Sequence, residues 1–338
     1  MHLFIDTNIY LSFFHYSKDD LEELRKLVVL VRANKVVLYL PEQVQDEFYR
    51  NRDAKIADAL KRFNENEKLT ANYPQICKQY EEYAELQRLI RDYQVKRNTL
   101  LEKIKKDIKQ EQFKADAVIK ELFSVAHNIK VSDDILNRAK RRYELGNPPG
   151  KKGSLGDAIN WECLLETVPK MTVLYFIAND GDYFSETNDE DFSHFLVKEW
   201  SKNNMWRQIL LYRRLTDFIR ERFPEIKLAD DYERDILTKD LLTSPTFATT
   251  RSMLRRLSRY SDLTSTQLND VVAAAVTNDQ VYWIIQDNDI NQYIRQLING
   301  RENQIEETNL KKLLALLNPT PKPEDDLTSL HEFNGGDS

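Results

Sequence analysis

Gly156-Asp157-Ala158-Ile159-Asn160-Trp161-Glu162, then the apolar run Val173-Leu174-Tyr175-Phe176-Ile177, then Asn179-Asp180-Gly181-Asp182, is the stretch from which the fold of this chain is read. Five consecutive apolar residues, stopped by a polar cluster, suit a strand buried on both faces of a parallel sheet. Ligand sites of open α/β sheets lie at the carboxyl ends of such strands. The preceding segment opens a helix with Asp157 in its first turn, where the macrodipole favours a carboxylate; capping alone would account for that residue. Asp180 and Asp182 around a glycine would also suit a simple turn, although a turn does not require both to be acidic.

Working outward, Leu3-Phe4-Ile5 followed by Asp6-Thr7-Asn8 repeats the same signature at the start of the chain. Asp6 or Thr7 is equally suited to cap the next helix. A helical stretch with apolar spacing at Leu21, Leu24, Leu27, Val28 and Val31 leads to a second strand, Lys35 to Leu40. Pro41 then falls in the first turn of a helix, with Val44 and Phe48 on the inward face and Glu47 at its rim. Taken singly, Glu47 suits a solvated helix position better than a site.

With 41% hydrophobic residues, 31% charged residues and only 8 glycines among 338, the chain has material for a core and a bias toward helix. That composition excludes a disordered chain and predicts α/β architecture with extra helices. Residues 50–129 are long, charged and helical in spacing, as at Leu86, Leu89, Ile90 and Tyr93, which predicts a helical hairpin inserted into the α/β domain. The lysines near 103–109 suit a wet helix face or a nucleic-acid contact. Asn147 to Ser154 is a basic loop rich in Pro and Gly; Lys151 and Lys152 in it either balance charge or hold a phosphate backbone beside Asp157.

Phe195-Leu196-Val197 is read as an edge strand and Trp206 to Phe223 as one helix, ended by Pro224. The domain reading is therefore residues 1–224 with the insertion at 50–129, a smaller mainly helical domain at 225–317, and a disordered tail at 318–338. In the second domain Arg251, Arg255, Arg256 and Arg259 make the densest basic patch, suited equally to a partner or a substrate. Cys77 and Cys163 form no disulfide framework and no metal-ligand spacing, which suits a reducing compartment. No leader is seen at the N-terminus and no apolar run approaches the ~18 residues of a membrane span, so the chain is expected to be cytoplasmic and to make no membrane contact. A net charge of −6 argues against bulk polyanion binding but leaves a nuclease open, because acidic ligands offset local basic patches.

Parallel strands would bring Asp6, Glu47, Asp157 and Asp180 to one edge of the sheet. Carboxylates packed together repel, and a hard divalent cation relieves that repulsion. With no His/Cys cluster for zinc and no EF-hand spacing, Mg²⁺ or Mn²⁺ is the expected cofactor. Such ions polarise a phosphodiester and activate water. An aspartate-nucleophile phosphatase would need a second acid where Asn8 stands, and a receiver domain suits neither the insertion nor the Asp180/Asp182 pair.

Taken together, Phe4 to Asn8, Pro41 to Glu47, Gly156 to Glu162 and Phe176 to Phe184 resemble the PIN-domain nucleases, in the bacterial branch with a long helical insertion and a C-terminal helical domain. The resemblance covers about residues 1–200 and implies a PIN-like parallel central sheet flanked by helices. By position it implies Asp6, Glu47, Asp157 and Asp180 as catalytic metal ligands, Asp182 as an auxiliary one, and supporting roles for Asn8 and Asn179. Ala178 stands where the family has a hydroxyl residue, and Tyr183 where it has Phe. The implied activity is a metal-dependent endoribonuclease acting on single-stranded or structured RNA such as tRNA, with Lys151, Lys152, Arg251, Arg255 and Arg256 as the basic contacts. A toxin–antitoxin or phage-defence role, an inhibitory or activating protein partner, and homo-oligomerisation follow from the same likeness. The competing reading is an inactive or regulated PIN-like scaffold that binds RNA or protein.

Overall fold

The computed structural model describes residues 1–14, 21–65, 73–150, 154–188, 191–202 and 208–318. Two compact units divide the chain, Met1–Ala229 and Asp230–Ser338. The first is built on five parallel strands: β1 (His2–Ile5), β2 (Val37–Pro41), β3 (His127–Ile129), β4 (Val173–Ile177) and β5 (Gln208–Tyr212), in the order β3-β2-β1-β4-β5. Parallel neighbours need crossovers. These are α1 (Thr7–Ser12) and α2 (Leu21–Arg32) between β1 and β2, then α3 (Glu42–Glu65), α4 (Glu81–Gln110) and α5 (Lys114–Val125) before β3. α6 (Asp133–Glu144) and α7 (Leu155–Thr167) precede β4, α8 (His194–Ser201) precedes β5, and α9 (Leu215–Arg222) follows it.

The central strands are apolar runs because both faces are covered: Leu3, Phe4, Leu38, Leu40, Leu174, Phe176 and Ile177 are wholly buried. Aromatic packing fills one face, with Phe4 against Phe176 at 4.7 Å and Trp161 against Trp200 at 5.5 Å between ring centroids. α4 buries none of its residues, so Leu86, Leu89 and Leu100 of its apolar stripe stay exposed.

Three sequence expectations change here. Phe195 to Val197 lies in α8 rather than in a strand, because Leu196 and Trp200, one turn apart, both pack into the core. The segment expected as one helix from Trp206 is β5 followed by α9; Ile209 to Tyr212 pair with β4, and that pairing overrides local helix spacing. Residues 127–129, placed at the end of the helical insertion, form edge strand β3 beside β2.

The second unit is a helical bundle of α10 (Ala229–Leu241), α11 (Phe247–Leu257), α12 (Ser265–Thr277), α13 (Asp279–Ile284), α14 (Asn288–Ile298) and α15 (Glu307–Leu317). Leu254, Leu268, Val271, Ile294 and Leu313 lie in its apolar core. The segment expected as a tail lies outside the described residues from 319 onward.

Candidate active site

The carboxyl edge of the sheet collects the acids. Asp6 is the first residue beyond β1, and its backbone N–H donates to Ile177 O of β4 at 2.9 Å. Its side chain caps α1, accepting from Asn8 N at 3.4 Å, so the capping role is real and the carboxylate is buried at 2% exposure. Glu47 lies in the second turn of α3, between the buried Val44 and Phe48. Thr7 Oγ1 donates to Glu47 Oε2 at 3.4 Å, which ties α3 to the residue after Asp6.

Gly156 lets α7 approach α3 closely. A Cβ there would lie 2.6 Å from Gln43 Nε2 and 3.4 Å from Glu47 Oε2. Asp157 follows in the first turn of α7, and the Tyr183 hydroxyl donates to its Oδ1 at 3.1 Å. Asp180 stands three residues beyond β4 and caps the short 3-10 turn Gly181–Tyr183, accepting from Asp182 N at 3.0 Å.

These acids share one electrostatic field. Burial pushes the Asp6 carboxyl up to about 8, reinforced by the charges of Asp157, Glu47 and Asp180 and opposed by the Asn8 backbone N–H. Asp157 is pushed up to about 6, again by burial first, while hydrogen bonds from Ser154 and Tyr183 hold it down and Asp180 and Glu47 raise it. Buried Tyr10 and Tyr183 are also raised by burial, with Asp6 and Asp157 respectively next among the causes. Among the described residues no Lys or Arg forms an ion pair with Asp6, Glu47, Asp157 or Asp180. Each ionisation therefore opposes the next.

Among the described residues no three His, Cys, Asp or Glu side chains are closed up as a metal cage. The acids are grouped by charge rather than by contact. Their chemistry nonetheless fits a hard divalent cation: carboxylate oxygens only, mutually repelling, with no basic group paired to them among the described residues.

A family model described as PIN domain matches residues 3–183. That span is more than half of the 338 residues and contains all four acids. The chain belongs to the PIN-domain family. Comparison with curated proteins and comparison with solved structures gave no match. PIN domains are usually nucleases, and PIN-domain nucleases generally use divalent metals.

The remaining sequence-derived residues of this PIN-domain chain are placed differently. Asp182 is buried beside Asp180, whereas the Asn8 and Asn179 side chains are exposed. Lys151 and Lys152 lie outside the described residues. Arg251 is in ion pairs with Asp287 and Asp289, and Arg256 Nε donates to Glu233 at 3.0 Å, so both hold helices of the second unit together. Arg255 is exposed, with no ion pair among the described residues.

Two contributors escaped the sequence reading. The hydroxyl that distinguishes Tyr183 from Phe is the donor to Asp157, so the departure from the family pattern was itself the available signal. Thr7, suited by its sequence position to a cap, also holds Glu47. Glu162, part of the acidic stretch, instead accepts from Arg142 at 2.7 Å and from Arg138 at 3.1 Å, and serves packing. No described helix is long and apolar enough to cross a membrane.

Proposed function

We propose that this PIN-domain chain is a divalent-metal-dependent endoribonuclease that hydrolyses phosphodiester bonds. The observation that carries the reading is Asp6, a carboxyl buried at a strand end and pushed up to about 8 in the field of Asp157, Glu47 and Asp180 with no basic partner among the described residues. Asp6, Glu47, Asp157 and Asp180 would hold Mg²⁺ or Mn²⁺, with Asp182 beside them. A cation held there would polarise the phosphodiester and lower the pKa of a bound water.

The protein's own groups set the rest. Thr7 orients Glu47, and Tyr183 orients Asp157 while keeping its carboxyl from rising further. Hydrolysis adds water across one P–O bond, with the proton of the attacking water released to solvent. A role as a toxin or phage-defence effector, restrained by a partner and acting on single-stranded or structured RNA, is supported by analogy with single-chain bacterial members of the family.

The test is cleavage of total RNA and of single-stranded DNA by purified protein in Mn²⁺, Mg²⁺ or EDTA, beside Asp6→Asn and Asp157→Asn. Metal-dependent cutting of RNA that falls to background in both folded variants is the expected result. Full activity in either variant removes the site assignment. Absence of cutting under any metal by the folded parent transfers the reading to a PIN-like binding scaffold.

A further inference from the structure

Beyond the acids, the same sheet edge carries a second charged feature. β5 is the neighbour of β4, with Tyr212 in register with Ile177, and Ala178 N donates to Tyr212 O at 3.1 Å. The two strands therefore leave the sheet side by side. One continues into Asn179 and Asp180, the other into Arg213 and Arg214. These arginines, with Arg220 of α9, line an open groove of about 690 Å³.

The groove is an ordered cationic surface. Asp217 accepts from Arg214 through Nε at 2.9 Å and Nη2 at 3.1 Å, and from Arg220 through Nη2 at 2.8 Å. One carboxylate thus positions two guanidinium groups and uses only part of their donor sets; Nη1 of Arg214, and Nε and Nη1 of Arg220, make no bond to Asp217. Their side chains stay 43% and 73% exposed, open to a ligand. Arg213 lies 3.9 Å over the ring of Phe184, in the loop that carries Asp180 and Asp182, so this wall of the groove is tied to the acid loop. Glu221, the second acid of the lining, is engaged by Arg222 at 3.0 Å. Arg214 and Arg220 thus share one carboxylate, and the other acid of the lining is bound to Arg222.

We infer that the Arg213–Arg214–Arg220 groove is a binding site for the phosphodiester backbone of a single nucleic-acid strand, holding the strand to one side of the bond presented to the acids. The inference rests on the nuclease reading for the direction of the strand, while the binding site itself does not require cleavage. Guanidinium forks match phosphate oxygens in pairs, and an arginine already fixed by a carboxylate loses less freedom on binding. An edge made only of carboxylates would repel a polyanion. Cations one strand away supply the attraction that brings it there.

The experiment uses the full chain carrying Asp180→Asn, so that the probe is not consumed, and a fluorescent oligoribonucleotide followed by anisotropy across a series of salt concentrations. Adding Arg214→Ala and Arg220→Ala is expected to weaken binding about tenfold and to lower the salt slope by about 1.4, two contacts at about 0.7 each for a single strand. The charge-keeping pair Arg214→Lys and Arg220→Lys is expected to preserve the slope. An unchanged slope in the alanine pair, or a parent that binds no oligonucleotide, overturns the inference and leaves the arginines as an ion-pair network of α9. Metal-dependent cutting by the wild type is read separately. A protein that binds through these arginines and never cuts sinks the nuclease reading alone, and one that cuts with an unchanged slope sinks the groove alone.

Discussion

Two regions of the first unit bury carboxylates, and they treat them in opposite ways. On the helical flank Asp116, 1% exposed, receives Arg52 through two bonds of 2.7 Å, and Glu162 receives Arg142 at 2.7 and 2.9 Å. Arg142 also reaches Glu199 at 2.6 Å and Pro148 O at 2.8 Å, joining α6, α7 and α8. At the sheet edge Asp6 is buried to a similar degree and is given other carboxylates as neighbours. The same domain therefore neutralises Asp116 and Glu162 where packing is the purpose and, among the described residues, gives Asp6 no cation. Retained repulsion of this kind destabilises the fold and is tolerated where function requires it.

The largest effect expected from this contrast is on the paired side. Arg142→Ala leaves Glu162 buried with Arg138 alone and removes the bond to Glu199, at a cost of about 3–5 kcal/mol in urea denaturation. A loss below about 1 kcal/mol would mean that the ion pairs are not what makes these buried acids tolerable, and the comparison would collapse.

On the unpaired side the sign reverses. A carboxyl raised to about 8 in the fold but ordinary when unfolded contributes most stability below about pH 4, where both states hold the proton. Between about pH 4 and 8 the unfolded state ionises while the fold resists, so stability is lost as pH rises through that window. Asp6→Asn removes the loss. In metal-free protein it should stabilise by about 2 kcal/mol at pH 8, since an imperfectly paired amide offsets part of the gain, and the advantage should vanish toward pH 4. Adding Mg²⁺ or Mn²⁺ should raise the melting temperature of the parent and not of the variant. A variant less stable than the parent at pH 8 would show that Asp6 serves the fold as Asp116 does.

Much of the sheet was legible because a doubly covered parallel strand is written as an apolar run ended by polar residues, as at Leu3 to Asp6 and Val173 to Asp180. β3 was not, since its three residues have only Ile129 buried and carry no such run. Gln208 to Tyr212 satisfies helical and extended spacing alike, and only the presence of β4 decides it. The acids were legible by their places after strands and at a helix start. The fate of Arg251 and Arg256 was not, because their partners Asp287 and Glu233 lie 36 and 23 residues away and nothing local shows those charges to be engaged. The same limit hid Arg214 and Arg220, whose significance depends on β5 lying beside β4.

The smallest expected effect separates the two regions most finely. Tyr183 gives Asp157 what an arginine gives Glu162, a donor, but without a charge. A neutral donor lowers the carboxyl only partly, which leaves Asp157 at about 6 instead of fixing it as a permanent anion. Tyr183→Phe retains the buried ring, packed 4.7 Å from Phe176, and removes only the hydroxyl. The Asp157 titration, followed by carboxyl NMR in metal-free protein, should then move upward by about one pH unit or less, the scale of one lost hydrogen bond. Unfolding free energy should change little, because the orphaned acceptor is only half-buried and can turn to water. A titration that stays in place would assign the hold on Asp157 to Ser154, and a large loss of stability would make Tyr183 part of the packing network that the flank exemplifies.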